Sequence, residues 1–272
     1  MSPAFARPRP GAWLAAAAVL LAGRLASAAP CDDSCDVVLH ELPSCQGATW
    51  CVSGEGVSPG ATVCLDAAAS PVKDLTVTGF AGTAEAPITV RSCGGTFRIE
   101  GGDSGQALLV RESQHVRLSG GEGAERGWRI QGAKPASTYV MGVAFIGCSQ
   151  GITLDHFEIS GTSYTALRNH HDSPACPVRR GFVVRDNYLH DVGGEGMFLG
   201  INDDQSPYQL DDVVVADNLV VRPGYQGIKL GMVQNGRIER NVVIEAGAAQ
   251  TDGEDTGLAL GPRMNLVVRD NV

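Results

Sequence analysis

Two cations and one aromatic residue share a single position in a repeat of this 272-residue chain, and they are the side chains best suited to chemistry. When the stretches that begin at residues 151, 181 and 212 are aligned without gaps, Arg168, Phe198 and Lys229 fall at that position. In a lyase, a base removes the proton beside a carboxylate while a cation stabilises the developing negative charge. We therefore predict that Lys229 is a catalytic base and that Arg168 neutralises the charge of a substrate carboxylate.

One carboxylate, Glu195, lies in the turn just before the strand that carries Phe198, with Thr165 and Gln226 at the equivalent positions of the adjacent units. An exposed carboxylate in a turn is usually only solvated, but beside a cation it can act on a substrate, and Glu195 is the third catalytic candidate. A glycoside hydrolase needs two carboxylates roughly 5 to 9.5 Å apart. The sequence offers Glu195 as the one credible member of such a pair.

Aromatic and imidazole side chains are candidates for binding a substrate beside these charges. Phe198, with a cation on either side, would let a sugar ring stack on it. Tyr188 and His190 are predicted to face outward from the middle strand of the same unit. This placement predicts a groove lined by His190, Glu195, Phe198 and Lys229. The competing interpretation is that all of these side chains form an ordinary solvated surface.

Several loops contain side chains that ligate metals in other proteins. Calcium takes six to eight oxygens, and loops 201–212 and 251–257 are rich in Asp, Asn and Glu, but neither has the twelve-residue EF-hand spacing, so solvation competes with Ca²⁺ binding. In the long basic loop 168–181, His170 and His171 are adjacent, so on an extended backbone they point apart and suit one zinc ion poorly. No cofactor is predicted with certainty, and Ca²⁺ is the metal that the loops would suit.

The element that positions these residues is a repeat. Asn187, Asn218, Asn241 and Asn271 fall in one column, at spacings of 31, 23 and 30 residues. A period in this range is typical of a solenoid, whose units must stack to bury their apolar sides. Each unit contains short β-branched runs separated by Gly, Asp and Asn, which indicate strands and are too short for helices.

Three strands per coil would each pair in parallel with the equivalent strand of the next coil, about 4.8 Å away. The stacked Asn amides could then hydrogen-bond along the column, as they do in other β-stacks. Parallel crossover connections are right-handed. The sequence therefore predicts an all-β fold, a right-handed parallel β-helix with three-strand coils.

Two stretches carry a resemblance to a known family. "PGATVCLDAAASPVKDLTVTGFAGTAEAPITVRSCGGTFRIEG", residues 59–101, resembles the opening coils of the pectin-lyase-like β-helix proteins, and "DNYLHDVGGEGMFLG" resembles their later coil repeats. The resemblance covers roughly residues 55–272 and implies a secreted scaffold often used on polysaccharides, notably by lyases that cleave uronic-acid polymers. In chondroitinase-like and alginate-lyase-like members, paired acids near such a turn hold calcium, whereas here Glu195 stands alone.

The beginning of the chain predicts export. Residues 1–28 have the three-part form of a secretory signal, with Arg7 and Arg9 before a short apolar run and a small-residue stretch. All eight cysteines follow it, and six crowd residues 31–93, which suits disulfides in an oxidising compartment, whereas zinc knuckles would need paired CxxC spacings. We expect a disulfide-rich N-terminal cap with the first coils over 29–95, β-helix repeats over 96–272, and a bond between Cys148 and Cys176.

Charge and hydropathy exclude two classes of partner. The signal carries three arginines and no acid, so 18 basic and 30 acidic residues remain and nucleic acid is not an expected partner. No later stretch is long and apolar enough to span a bilayer. We therefore expect a secreted or periplasmic protein whose partner is a polysaccharide.

The end of the sequence, "VVRDNV", starts a coil without completing it. A solenoid needs a cap over its last strands, so we expect that the chain is truncated at its C-terminus or that its end pairs with something, and that it is a monomer once capped. The functional prediction is a lyase-type enzyme acting on acidic glycans. The alternative is a non-catalytic surface or matrix protein that binds glycans or mediates adhesion.

Overall fold

A computed structural model of the protein describes residues 31, 34–45, 50–101, 105–121, 126–132, 139–169 and 173–272. The predicted secretory signal, residues 1–28, lies outside the described residues, as do His170 and His171 of the predicted zinc alternative. Within the described residues the chain forms 27 β-strands and one short 3-10 helix (Ala67–Ala69). No helix in these ranges is long and apolar enough to cross a bilayer.

Three long sheets and one short sheet contain all of these strands, and every pairing between them is parallel. Sheet 1 consists, in spatial order, of β1 (Val37–Leu39), β3 (Thr62–Asp66), β6 (Ile88–Cys93), β9 (Gln114–Ser119), β12 (Gln150–Asp155), β16 (Val183–Arg185), β20 (Val214–Ala216), β24 (Gly236–Glu239) and β27 (Leu266–Arg269). Sheet 2 consists of β4 (Val72–Lys73), β7 (Phe97–Glu100), β10 (Trp128–Gln131), β13 (Phe157–Ser160), β17 (Tyr188–His190), β21 (Leu219–Val221) and β25 (Val242–Ile244). Sheet 3 consists of β2 (Trp50–Ser53), β5 (Leu75–Thr78), β8 (Gln106–Arg111), β11 (Met141–Ile146), β14 (Leu167–Asn169), β18 (Met197–Gly200), β22 (Ile228–Gly231) and β26 (Leu258–Leu260).

The chain visits sheets 1, 2 and 3 in turn and then returns to sheet 1 one coil further along, as β16, β17 and β18 followed by β20 show. Parallel strands joined in this cyclic order form a parallel β-helix, which confirms the predicted fold class. The predicted right-handed winding rests on the rule for parallel crossovers. Like residues therefore lie above one another along the rod.

A short fourth sheet is a difference from the predicted three-strand coil. Sheet 4 consists of β15 (Val178–Arg180), β19 (Gln209–Asp211) and β23 (Val233–Gln234). It forms in the connections from sheet 3 to sheet 1, where three successive coils have enough extended chain for parallel pairing. The three middle coils are therefore four-sided at this point.

The core of the rod consists of stacked inward side chains. On sheet 2, the rings of Phe97, Trp128 and Phe157 lie one above another, with centroids 5.4 and 5.1 Å apart, and all three are fully buried. On sheet 3, Leu167, Met197 and Ile228 pair directly in the inward column. Because each coil covers the apolar side of its neighbour, the alternation along each strand decides which side chains face out.

The asparagine column forms a continuous hydrogen-bonded ladder at the turn between sheets 1 and 2, as predicted. The side-chain amide of Asn187 donates to Asn218 Oδ1 at 3.0 Å, and that of Asn218 donates to Asn241 Oδ1 at 2.9 Å. Asn241 donates in the same way to Asn271 Oδ1 at 2.9 Å. Each Oδ1 also accepts the backbone N–H of the preceding Asn, so the ladder satisfies polar groups that the turn would otherwise bury unpaired.

Disulfide bonds involve all eight cysteines, so no thiol remains for zinc. The bonds join Cys31 to Cys93, Cys35 to Cys64, Cys45 to Cys51 and Cys148 to Cys176. The first three fasten the N-terminal segment to sheet 1 and sheet 3, which confirms a disulfide-rich start. The fourth confirms the predicted pairing of Cys148 with Cys176 and ties down the loop before β15.

The last described strands expose several apolar side chains. Leu260 of β26 and Val267 and Val268 of β27 are 41 to 55% exposed. An exposed strand edge invites association. The predicted C-terminal truncation and the expected monomeric state of the capped protein stay predictions.

Candidate functional site

The outer face of sheet 3 carries the predicted column of two cations around an aromatic ring. Arg168 pairs in register with Phe198, and Phe198 pairs with Lys229 one coil further. The Arg168 guanidinium lies 4.8 Å and Lys229 Nζ lies 5.1 Å from the centroid of the Phe198 ring. The register that the sequence predicted is therefore correct, since residues at matching repeat positions occupy neighbouring strands.

Phe198 lies between the two charges and is only 9% exposed. A cation within about 6 Å of a ring face is attracted by the electrons of the ring. Arg168 and Lys229 therefore compete with a sugar for the faces of the Phe198 ring. The ring thereby separates two like charges that lie two coils apart. Stacking of a substrate on Phe198 stays a prediction, and it requires one of the cations to move aside.

Glu195 is almost completely buried, at 3% exposure, although the sequence indicated an exposed carboxylate in a turn. The reason is that the turns before sheet 3 stack on one another: Ala166 donates its N–H to the Glu195 carbonyl, and Gly196 donates to the Gln226 carbonyl. A Cβ at Gly196 would meet the Gly227 carbonyl oxygen at 2.4 Å, so this stacking requires glycine.

Two groups compensate the buried charge of Glu195. The Thr165 hydroxyl donates to Oε2 at 2.8 Å, and Lys229 Nζ lies 3.6 Å from Oε1. A buried carboxylate is stable only where such donors replace water. The structure therefore brings together two of the predicted catalytic residues, Glu195 and Lys229, in one ion pair.

A second carboxylate, Glu254, approaches Lys229 from the acidic loop 251–257. Its Oε2 lies 3.7 Å from Lys229 Nζ, and that oxygen is buried without a hydrogen-bond partner. The sequence did not single out Glu254 for the site, because the insertion before β26 breaks the repeat register. The two oxygens are therefore at most 7.3 Å apart, an upper limit that overlaps the roughly 5 to 9.5 Å range of glycosidase carboxylate pairs.

Arg168 is held by a tyrosine that the sequence analysis also missed. Its Nη1 donates to the Tyr164 hydroxyl at 3.1 Å, and its guanidinium lies 5.7 Å from the centroid of the Tyr164 ring. Tyr139, which is 75% exposed, meets Tyr164 edge to face at 5.2 Å. The four-residue spacing from Tyr164 to Arg168 was visible in the sequence, but the turn between them that folds the ring back onto the cation was not.

Tyr188 and His190 lie on sheet 2 and make their contacts there. Their rings stack at 4.2 Å, and His190 Nδ1 lies 2.7 Å from Asp191 Oδ2. Arg126 covers the Tyr188 ring at 5.2 Å, and Glu158 Oε1 lies 3.6 Å from His190 Nε2. Among the contacts described for these two rings, none joins them to Glu195, Phe198 or Lys229, so the predicted groove divides into two groups of side chains.

Asp191 connects this second group to the next coil. Arg222 donates to both of its oxygens, at 2.7 and 2.9 Å. The hydrogen bonds from Arg222, followed by the one with His190, hold the pKa of Asp191 well below its usual range. Because Asp191 and Arg222 are each about half exposed, this pair contributes little to stability.

The acidic loops that the sequence offered to calcium do not converge on one point. Gln205 donates to Asp203 and Asp204, while Asp211 accepts a short hydrogen bond from Gln209 and pairs with Arg180. Within the described residues, the one group of three or more His, Cys, Asp or Glu side chains close enough to share an ion is Cys35, Cys64 and Cys93, all in disulfides. The described carboxylates of these loops therefore form no cluster of three that could share one calcium ion.

The fold places this chain in the class of parallel β-helix proteins. No protein-family model and no curated protein matches the sequence. Among solved structures, an alginate lyase from Paenibacillus sp. str. FPU-7 is similar, with 16% identity and a TM-score of 0.50 over 81% of this chain and 74% of that one. A GH136 lacto-N-biosidase from Eubacterium ramulus has 16% identity and a TM-score of 0.54 over 78% of this chain and 46% of that one. At these identities the likeness shows the fold.

Proposed function

We propose that this protein is an exported enzyme that cleaves acidic polysaccharides by a lyase reaction on the outer face of sheet 3. The observation that carries the proposal is the column in which Arg168 and Lys229 flank Phe198, with Glu195 buried against Lys229. The similar alginate lyase supports the choice of an acidic glycan. Four disulfides support an oxidising compartment outside the cytoplasm.

In this reaction Arg168 pairs with the carboxylate of a uronic acid residue and stabilises the charge that develops on it. In its ion pairs Lys229 is an ammonium, so it first gives a proton to Glu254. Its free amine then takes the proton from the carbon beside the substrate carboxylate, and the electron pair left behind forms a double bond as the glycosidic oxygen on the next carbon departs. The products are one chain with a new hydroxyl end and one with an unsaturated sugar. Glu254, 3.7 Å from Lys229 Nζ, then gives its proton to the departing oxygen, so that the hydroxyl end forms and the ion pair is restored, while Glu195 holds Lys229 in place.

Tyr139 and Tyr164 extend the proposed binding surface next to Arg168. Their edge-to-face pair leaves Tyr139 largely exposed. Aromatic rings provide a flat apolar face for a sugar, while a neighbouring guanidinium binds its carboxylate. We expect these two rings to provide a stacking face beside the one predicted at Phe198.

A screen of the purified protein against pectin, alginate and glycosaminoglycans, with and without calcium, tests the proposal. Cleavage by a lyase produces unsaturated ends that absorb in the ultraviolet. We expect Lys229→Ala to lower this activity at least about 100-fold, the usual contribution of a general base, and Arg168→Gln to lower it comparably. Lys73→Ala, an exposed lysine on sheet 2, is the matched control and should keep full activity. Unchanged turnover in Lys229→Ala would remove Lys229 from the mechanism.

Hydrolysis is a second candidate function, favoured by the closeness of Glu195 and Glu254. Two carboxylates roughly 5 to 9.5 Å apart can act as acid and base or nucleophile on a glycosidic bond. In that case new reducing ends appear without ultraviolet absorbance, and Glu254→Gln abolishes activity. If glycans are retained without being shortened, the protein is the non-catalytic surface or matrix binder instead.

A further inference from the structure

Lys229 is the cation at which two carboxylates from separate segments of the chain meet. Glu195, in the turn before β18, has its Oε1 3.6 Å from Lys229 Nζ. Glu254, in the insertion before β26, has its Oε2 3.7 Å from the same nitrogen. The two oxygens are therefore at most 7.3 Å apart, and the group carries two negative charges and one positive charge. Two carboxylates that share one cation are also the arrangement in which proteins hold divalent metal ions.

Burial makes a cation necessary at this point. Glu195 is almost completely buried, and the Lys229 side chain is only 17% exposed. The Thr165 hydroxyl donates a hydrogen bond to Oε2 of Glu195, while Oε1 faces the ammonium. A buried carboxylate that loses its partner is left as an uncompensated charge, which is strongly destabilising. The folded protein therefore needs a positive charge beside Glu195 whether or not a substrate is bound.

Calcium is the cation that the resemblance to alginate-lyase-like proteins implies near this turn. It takes roughly six to eight oxygens at about 2.3 to 2.6 Å, and carboxylates are among its preferred ligands. An ion bound by both Glu195 and Glu254 would lie close beside Lys229 Nζ, because that nitrogen is within 4 Å of both oxygens. Like charges at such a separation repel strongly in a partly buried site. The cluster therefore does not fit calcium while Lys229 carries its charge.

The fold holds Lys229 and Glu254 in this contact. Lys229 lies in β22, between Phe198 of β18 and Ala259 of β26 in the parallel register. Its Nζ also lies 5.1 Å from the centroid of the Phe198 ring. The insertion that carries Glu254 is tied to the turn before β22 by three backbone hydrogen bonds, from Gly247 to Tyr225, from Ala248 to Pro223 and from Ala249 to Gly224. The chain itself therefore supplies both the cation and the second carboxylate.

We propose that the Lys229 ammonium is a built-in counter-ion, which takes the place of a divalent cation between Glu195 and Glu254 and keeps calcium out of this site. A cation that is attached to the chain needs no free metal, so the cluster stays assembled at any calcium concentration. The replacement concerns the resting protein and does not depend on any reaction. Its consequence for turnover rests on the proposed function: polysaccharide cleavage should continue in EDTA, because Lys229 already supplies the positive charge.

A change of Lys229 to an uncharged residue should convert the cluster into a calcium site. Lys229→Met keeps the length of the side chain and removes the charge, which leaves two carboxylates without a cation. We expect this variant to melt at a lower temperature than the wild type in EDTA. Calcium chloride at about 5 mM should raise its melting temperature by about 2 °C or more, since extracellular calcium sites have dissociation constants of about 10⁻⁴ to 10⁻³ M. The wild type should melt at the same temperature in EDTA and in calcium chloride at matched ionic strength.

Further variants locate the ion. Lys229→Arg retains a cation and should melt at the same temperature with and without calcium. The double change of Lys229→Met with Glu254→Gln should lose the calcium response, because one carboxylate is gone. Lys73→Met, at an exposed lysine of sheet 2, is the matched control and should behave as the wild type does. Lys229→Gln is the second variant if Lys229→Met fails to fold, and calorimetric titration with calcium measures binding to it directly.

Stabilisation of the wild type by calcium, with the effect lost in Glu254→Gln, would overturn the proposal. So would the absence of a calcium response in both Lys229→Met and Lys229→Gln, or a response of equal size in Lys229→Arg. None of these measurements uses a glycan, so a protein without lyase activity still gives a decisive result. Cleavage that stops in EDTA and returns with calcium would overturn the counter-ion role while it supports the lyase reaction.

Discussion

Buried carboxylates held by a cation and a hydroxyl occur on two sheets, and His156 and Arg185 also contact the second of them, Asp155. Glu195 is held by Lys229 and the Thr165 hydroxyl on sheet 3, and Asp155 is held by Arg117 and the Ser119 hydroxyl on sheet 1. In each case the carboxylate fixes the position of the cation, and the part of the cation that does not contact the carboxylate faces the outside of the rod. A cation ordered in this way loses less rotational freedom when it binds a substrate.

The pH dependence of stability tests the role of Asp155. Its folded-state pKa lies below the ordinary value, so its contribution to stability is fully present above about pH 4 and is lost as pH falls through the folded-state value. We expect Asp155→Asn to lower the free energy of unfolding by about 1 to 3 kcal/mol at pH 7. That difference should shrink as pH falls below about 4, because the protonated wild type then resembles the variant.

Urea denaturation at pH 7 and at pH 3 measures both differences. Asp252→Asn, in the exposed loop before β26, is the control and should change stability little at either pH. A difference of constant size at both pH values would show that Asp155 does not carry its charge in the folded protein.

At the scale of elements, the turns between sheets control where the strands begin. The asparagine ladder fixes the turn from sheet 1 to sheet 2 in four successive coils. Asp186, Asp217, Arg240 and Asp270, which precede the ladder residues, all have φ between 55° and 57°. The ladder satisfies the polar groups of these left-handed turns, and the strands on either side are thereby kept in register.

Asn218→Ala tests the ladder. In this variant the backbone N–H and the side-chain amide of Asn187 lose their acceptor. The backbone carbonyls of Val184 and Ala216 lose a donor. Because each buried group left unpaired costs about 1 to 3 kcal/mol, we expect a loss of at least about 2 kcal/mol in the free energy of unfolding. Asn265→Ala, at an exposed asparagine outside the ladder, should cost far less. Equal losses in thermal or urea denaturation would mean that the ladder is not a source of stability.

For the whole molecule, covalent links are concentrated at the start of the rod. Cys31–Cys93 spans 62 residues and Cys35–Cys64 spans 29, so together they fasten the N-terminal segment to the outer face of sheet 1. The same segment carries Ser34, which lines a cavity of about 580 Å³ on the outer face of sheet 1. The N-terminal disulfides therefore contribute both to stability and to the shape of that cavity.

Removal of single disulfides tests this distribution. In the chain-entropy description a longer closed loop gives more stabilisation. Replacing Cys31 and Cys93 with serine should therefore lower stability by about 2 kcal/mol more than replacing Cys45 and Cys51, whose separation is 6 residues. Thermal denaturation of the two double variants checks the order, and a larger loss for the Cys45–Cys51 pair would contradict it.

The amino-acid sequence by itself determined the repeat and everything that follows a fixed offset along it. The alignment of Arg168, Phe198 and Lys229, the asparagine column and the parallel β-helix were all predicted, because in a solenoid the spatial neighbour of a residue lies one coil away in sequence. The pairing of Cys148 with Cys176 followed from the loop that it closes.

Only the tertiary structure decided which further side chains join these columns. Glu254 reaches Lys229 from an insertion that breaks the repeat, and Arg126 reaches Tyr188 from a turn two coils away. Glu195 is buried rather than exposed because neighbouring turns stack on it. Insertions and long side chains have no fixed offset, so the way in which they fold back over the rod depends on packing between coils and not on the period of the sequence.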